Sequence, residues 1–299
     1  MPRRIRVFDP QVIYHVSNRT QEAKFLFVPD EEFNAIVIRW LRRAVRAHGV
    51  LMYAAVIMGN HFHLIVSAPR NNLSEFMRYF QTNLSREVNV LRNRFDASTF
   101  PRRFKAEPIV DEDALKKMLS YVVLNPVAAN LVEFPVEYPG YTSWHQHVGE
   151  PERGKYDQEL PPITPPPMWA ELSPEELAEA WRELVRPTIA HHAKIRTRPV
   201  KGAKKVRQMD WWRRPRRPKR SPRIPLCHAT DLADWKRYAD FVNRTQTRYR
   251  KAVLAWRRGV VEEFPFGTIP PGWAECVADG SRRLPEEFRL AKPSRSAAA

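Results

Sequence analysis

In MGNHFHLIVS, residues 58–67, two histidines stand one residue apart inside an apolar run. Ala54–Met58 before them and Leu64, Ile65 and Val66 after them predict a strand, and a strand places residues i and i+2 on one face. His61 and His63 therefore point the same way and can share one ligand. A metal ion is one such ligand; the plainer reading is two half-buried histidines bonded to backbone. A second pair, His145 and His147 in SWHQHVG, has no apolar strand around it.

A nucleophile placed to use a metal would set the first pair apart, and DALKKMLSYVVLNPV offers one. Leu115, Met118, Leu119 and Val122 form the buried stripe of a helix, while Lys117, Tyr121 and Asn125 fall at i, i+4 and i+8 along its shoulder. Tyr121 then presents its hydroxyl beside the sheet. Asn125, one turn on, offers an amide oxygen, a hard ligand suited to Mg²⁺ or Mn²⁺. Taken alone, a tyrosine in such a place is more often a core or surface residue than a nucleophile. Taken together, the groups suit phosphodiester cleavage. Two imidazoles and an amide oxygen hold a divalent cation that polarises the phosphoryl oxygens. Tyr121 attacks phosphorus, keeps the 5′ side covalently and releases a 3′-hydroxyl. The stored bond energy allows rejoining to a different strand without ATP.

These side chains need a scaffold, and the hydrophobic pattern supplies one. Val12, Tyr14 and Val16 alternate with Ile13, His15 and Ser17, predicting a strand over 11–17. Asp30 caps a helix over 31–48, with Phe33, Ile36, Val37, Trp40 and Leu41 as its stripe and Gly49 as its stop. Strands over 50–58 and 61–67 flank a Gly59-Asn60 turn. A helix from Asn72 or Ser74 to about Asn93, a strand over 104–110 and an Asp111-capped helix through Leu124 complete the series. This order implies an α+β fold, a ferredoxin-like antiparallel sheet with helices on one face, within a domain over 1–150. EPERGKYDQELPPITPPP reads as a proline-rich linker, 151–172, crossed by few contacts. Residues 173–299 read as a mainly helical, partly disordered basic region. In it Ser173 opens a helix to about Arg186, and Thr230 opens a last one ending at Gly259, with Leu232, Trp235, Tyr238 and Phe241 toward a partner.

A hydrophobic fraction of 43% is enough for a cored domain. No apolar stretch approaches the ~20 residues of a membrane span, and MPRRIRVFDP lacks the apolar core of a signal peptide. Two cysteines, Cys227 and Cys276, without metal spacing, argue for a reducing compartment. The expectation is a cytoplasmic, nucleoid-associated protein with no membrane partner. Its net charge of +17 is concentrated between Lys194 and Arg223, where fourteen Lys/Arg meet one acid, Asp210. Prolines at 199, 215, 218, 222 and 225 argue against helix there. Trp211 and Trp212 interrupt the basic run, and basic residues interleaved with aromatics suit a nucleic-acid backbone with bases to stack on. The plainer reading is a basic linker that binds polyanions weakly.

Five blocks in order give the sequence a specific resemblance: VIYHVSNRT, MGNHFHLIV, PRRFKAEPIV, SYVVLNPVAANLV and EYPGYTSW. Over roughly residues 8–148 the chain resembles the single-tyrosine HUH transposases, in particular REP-associated tyrosine transposases and the transposases of the smallest bacterial insertion sequences. The resemblance implies His61 and His63 as the metal pair, Tyr121 as nucleophile and Asn125 as the polar residue one turn after it. Gly59 stands where the family has proline, Ala128 where it has arginine after N-P-V, and Gly140 where it has an aromatic. The resemblance further implies a single-stranded hairpin DNA substrate. In some members it implies a homodimer that takes its tyrosine from the partner subunit; monomer and dimer both stay open here. Candidate DNA contacts are Arg19, Arg102, Arg103, Lys105 and Lys117, with Trp211, Trp212, Arg213 and Arg214 in the basic window. A histidine-triad hydrolase would need histidine where Ile65 stands. The serious alternative is a domesticated copy that binds hairpin DNA without cutting it.

Overall fold

Asp30 opens helix α1 (Glu31–His48) by accepting a hydrogen bond from the Phe33 amide at 2.7 Å, and Gly49 closes it in the left-handed conformation. The computed structural model describes residues 6–95, 97–149, 159–213 and 227–260, together with 264, 265, 268 and 271. It divides into a unit spanning Gln11–Thr230 and a second made of Met1–Pro10 with Asp231–Ala299.

In the first unit, β1 (Ile13–Arg19), β2 (Leu51–Met58), β3 (His61–Ser67) and β4 (Lys105–Ile109) pair antiparallel in the order β2-β3-β1-β4. With α1 between β1 and β2, and α2 (Leu73–Leu91) between β3 and β4, this is the split βαβ arrangement that the element order implies.

Pairing register decides what each face of the sheet carries, because residues directly opposite share a face. Tyr14 faces Val66, Val16 faces Leu64 and Asn18 faces Phe62. This face is mostly apolar, and Phe62 meets Phe80 of α2 edge-on. Helices α1 and α2 pack together on it, tied at the rim by Arg39 and Trp40 to Glu87. Trp40 therefore leaves the expected apolar stripe for a polar contact. Onto the opposite face fall His15, Ser17, Arg19, His61, His63, Ile65, Lys105, Glu107 and Ile109. The expectation of helices on one face describes α1 and α2. A third helix, α3 (Glu112–Val123), crosses the polar face, burying Leu115, Leu119 and Val122 against Val56, Met58, Ile65 and Ile109.

Both sheet edges are covered, which blunts their tendency to pair with other chains. Along β2, Ile57 donates to the Tyr141 carbonyl and Ser143 donates to that of Ala55, each at 2.9 Å. Beside β4, the His228 amide donates to Pro108 at 2.8 Å and the Val110 amide to His228 at 3.0 Å.

Residues 151–158 of the expected linker lie outside the described residues, but from 159 onward the chain adheres to this unit further than a linker reading implies. The Thr164 amide donates to the Met52 carbonyl and the Gln146 side chain to Pro161. The helix α6 (Pro174–Ile195) starts at the expected Ser173 capping box but continues through Pro187. Its Ala178, Trp181 and Val185 are buried in the α3 cluster, and the first unit runs on to Thr230. The basic window, expected to be non-helical, holds a short helix, α7 (Ala203–Arg207). No proline lies between 199 and 215 to prevent it, and burial of Val206 anchors it. Residues 214–226 and 272–299, on which the expected partial disorder falls, lie outside the described residues, as do Arg214 and Cys276.

The second unit is dominated by a 26-residue helix, α8 (Leu232–Arg257), capped by Asp231 and not Thr230. Leu232, Trp235 and Phe241 are exposed on it. Among the described residues no helix is long and apolar enough to cross a membrane.

Candidate active site

Register alone brings His61 and His63 of β3 opposite Arg19 and Ser17 of β1. The two imidazoles meet edge to face with centroids 5.0 Å apart. Helix α3 arrives over them because Asp111 caps it, accepting from the Ala114 amide at 2.7 Å, and because its apolar stripe lies down on Ile65 and Val56. Tyr121, on the shoulder of that stripe, sets its ring 5.2 Å from His63 and 6.0 Å from His15 while keeping 44% of its surface exposed. Leu124 breaks the helix and Pro126 starts the short α4 (Asn125–Ala128). At that joint buried Asn125 turns its Oδ1 to 3.3 Å from His61 Nε2.

Hydrogen bonding restricts what these nitrogens can do. His61 Nδ1 lies 2.6 Å from Asn60 Oδ1. With Nδ1–H donating there, Nε2 presents a lone pair to Asn125 Oδ1, so two acceptors face each other. His63 Nδ1 lies 2.8 Å from His15 Nε2, and His63 Nε2 is buried with no hydrogen-bond partner among the described residues. Buried polar atoms are normally satisfied, so a lone buried imidazole nitrogen beside two facing acceptors fits a cation held by His61, His63 and Asn125. Electrostatics agree. Burial, and next the charge of Arg19, holds His61 down at about 4, and burial followed by its histidine neighbours keeps His63 well below the ordinary range. Both rings are thus neutral near pH 7, the form that ligates metals.

The sheet face continues past His63 into a second cluster that sequence reading does not single out. His15, Glu107 of β4 and His228 converge, their ligand atoms all within 4.8 Å of one another. Burial alone would raise the Glu107 carboxyl, but hydrogen bonds to His15 and His228 bring it down to about 2. His15 was visible in the sequence only as one alternating residue of a strand. Its pairing with Glu107 depends on register, and His228 arrives from 121 positions beyond Glu107 through backbone bonds to the edge of β4.

The other expected residues lie around this centre in different degrees of proximity. Arg19 ends β1 opposite His61, and Lys105 begins β4 opposite Ser17, both exposed. Exposed Arg102 and Arg103 precede β4, where Asn18 donates to the Arg102 carbonyl. Lys117 lies one turn before Tyr121; with Lys116, Tyr121, Thr188 and His192 it lines a groove of about 420 Å³ between α3 and α6. Trp211 and Trp212 meet each other edge to face at 5.8 Å, with Trp212 and Arg213 exposed; nothing in that contact ties them to the histidines.

Two of the family departures have steric explanations. A Cβ at Gly59 would sit 3.1 Å from the Phe25 ring, so any side chain there requires that ring to give way. At Gly140 a Cβ would fall 2.6 Å from the Tyr138 ring, whose hydroxyl donates to the Ile57 carbonyl. Nothing in the structure explains Ala128.

Comparison with known proteins follows the same lines. A family model described as "Transposase IS200 like" matches residues 10–124. No curated protein matches the chain. Similar solved structures include a REP-associated tyrosine transposase bound to a REP hairpin, at 16% identity over 52% of this chain and 88% of that one, with a TM-score of 0.41. Another is a candidate transposase from Deinococcus radiodurans R1, at 16% identity over 40% of this chain and 95% of that one, with a TM-score of 0.29. The matched segment, 10–124, contains β1 to β4 and ends just after Tyr121, so the part of the chain that is similar to the IS200-like transposases is the one that carries the histidine pair and the tyrosine.

Proposed function

We propose that this chain is a transposase that cuts and rejoins single-stranded hairpin DNA through a 5′-phosphotyrosine on Tyr121. The observation that carries the reading is an exposed tyrosine whose ring lies 5.2 Å from buried His63, with half-buried His61 and its Asn125 contact beside it. The Tyr121 oxygen attacks phosphorus, a P–O bond to tyrosine forms and the bond to the 3′-oxygen breaks. The phenolic proton leaves and the departing 3′-oxygen takes one up, releasing a 3′-hydroxyl. Reversal by a different 3′-hydroxyl rejoins the strand.

His61 Nε2, His63 Nε2 and Asn125 Oδ1 would hold the divalent cation, Mg²⁺ or Mn²⁺. Bound there, it would supply Lewis-acid polarisation of the scissile phosphate. Arg19 and Lys105, on the same sheet face, add positive charge where phosphate approaches. Lys116 and Lys117 along the α3–α6 groove offer a track for the strand leading to Tyr121. Arg102, Arg103, Trp211, Trp212 and Arg213 extend the basic and aromatic surface. Tyr121 lies beside the histidines of its own chain, so this reading needs no second copy to complete the centre.

The test is adduct formation. Purified protein is incubated with single-stranded hairpins drawn from the DNA flanking the gene, with Mn²⁺ or with EDTA. A covalent complex that survives denaturation, needs the metal and maps to Tyr121 is expected. An adduct on another tyrosine such as Tyr79, or equal cutting in EDTA, would sink the reading; tight binding with no adduct would favour a DNA-binding protein that does not cut.

A further inference from the structure

We propose that His15, Glu107 and His228 form a second metal site, one for a divalent transition metal of the zinc class, separate from the His61–His63–Asn125 set. The three donor atoms make a near-equilateral triangle. His15 Nδ1 lies 3.1 Å from His228 Nε2 and 3.5 Å from Glu107 Oε2, and His228 Nε2 lies 3.3 Å from the same oxygen. Tetrahedral ligands about 2.0–2.1 Å from zinc stand about 3.4 Å from one another. An ion just off the plane of this triangle would reach all three at ordinary bond lengths, with its fourth position open.

Protons alone do not satisfy such a triangle. Each nitrogen can bring at most one, and the ionised carboxylate brings none. If both nitrogens are protonated, both can donate to Glu107, but two N–H groups then oppose each other across the shortest edge. If only one is protonated, it must be shared between two acceptors. A cation at the centre serves all three at once. The same carboxylate is under-satisfied at its other oxygen: Glu107 Oε1 is buried with no hydrogen-bond partner among the described residues, an expensive state that leaves its charge poorly compensated by protons alone.

The surroundings have the character of a built site. His15 and Glu107 are buried and held opposite each other by the β1–β4 ladder. His228 is fixed by its two backbone bonds to the outer edge of β4. With Nδ1 on the metal, the other nitrogen of His15 donates to His63 Nδ1 at 2.8 Å, the outer hydrogen bond that ligating histidines commonly make. Such a metal would pin the chain segment carrying His228 to the edge of the catalytic sheet.

The test uses the full chain, freed of metal by a chelator, without DNA and without a cleavage readout. Its outcome is therefore independent of the proposed phosphotyrosine chemistry. A His61→Ala background removes the competing set. In it, one equivalent of Zn²⁺ should bind, and Co²⁺ should give the intense visible absorption of four-coordinate cobalt. Adding His228→Ala, or Glu107→Gln, should weaken Zn²⁺ binding at least tenfold and abolish the cobalt band. His228→Cys should restore binding, with a new thiolate-to-cobalt absorption in the near ultraviolet. His228→Gln stands in should the alanine variant fail to fold by thermal melting. Unchanged affinity in the His228 and Glu107 variants, or no Zn²⁺ bound by the His61→Ala protein at micromolar concentration, would overturn the proposal.

Discussion

The two His-x-His pairs share a spacing but not a geometry. On strand β3 the pair converges on one face, its rings 5.0 Å apart, under a tyrosine delivered by α3. The second pair sits on the short helix α5 (Trp144–Val148), where a separation of two residues means about 200° of rotation. His147 turns inward, stacks on Trp181 at 3.8 Å and pairs through Nε2 with Ser143 Oγ at 3.0 Å; His145 is carried off to another side. Both inward-facing rings are buried and held neutral, His147 at about 3 by burial alone. What differs is the use of the lone pair: His147 satisfies its Nε2 within the protein, whereas His63 leaves its own open toward a shared centre. Neither motif nor burial makes a site; convergence does.

That contrast can be broken most sharply at the residue only one pair faces. Tyr121→Phe should lower cleavage of a cognate hairpin by at least about a thousandfold while leaving hairpin affinity, measured by fluorescence anisotropy, within about twofold. Next come the histidines themselves. His63→Ala should cost about a hundredfold or more in metal-dependent cleavage with a melting temperature near wild type. His147→Ala should instead remove roughly 3 kcal/mol of stability by opening a cavity beside Trp181, with cleavage per folded molecule retained. Exchange of those two outcomes would undo the comparison.

Acid sharpens it further. His147 takes up its proton near pH 3 when folded and near 6.5 when exposed. Its neutral burial therefore supports the fold fully above pH 6.5, and that support is lost progressively as pH falls toward 3. The drop in urea midpoint between pH 7 and 4.5 should be smaller in His147→Gln than in wild type; an equal drop would mean that this ring does not titrate with unfolding. The smallest effect belongs to Asn125→Ala. Water can replace one amide oxygen at a cation, so cleavage should fall only about tenfold and recover in part at higher Mn²⁺.

What was legible in the sequence tracks how locally each feature is specified. The first long helix and the third strand have the expected bounds, Glu31–His48 and His61–Ser67, because a side-chain cap, a glycine stop and a two-residue turn act within a few positions. His61, His63, Tyr121 and Asn125 come together because strand alternation and helix periodicity give each its direction. His15 and Glu107 escape the same reasoning because register, set by whole-strand pairing, decides who stands opposite whom. The fate of the chain after 150 was hidden for another reason. Proline and charge suggested a free segment, yet Trp181, Val185 and Val206, spread over many polar positions, bury enough surface to hold it down.

The 2.8 Å bond between His15 and His63 carries one more consequence. A single proton lies between two neutral rings, and it belongs to one of them at a time. When His63 Nδ1 owns it, His63 offers its outer lone pair toward Tyr121 and His15 has none to offer toward Glu107. When His15 Nε2 owns it, the offer reverses: His15 is open toward Glu107 and His228, and His63 is closed. The pair is an exclusive-or gate one proton wide: a cation seated on either side of the sheet face would withdraw the ligand that the other side needs.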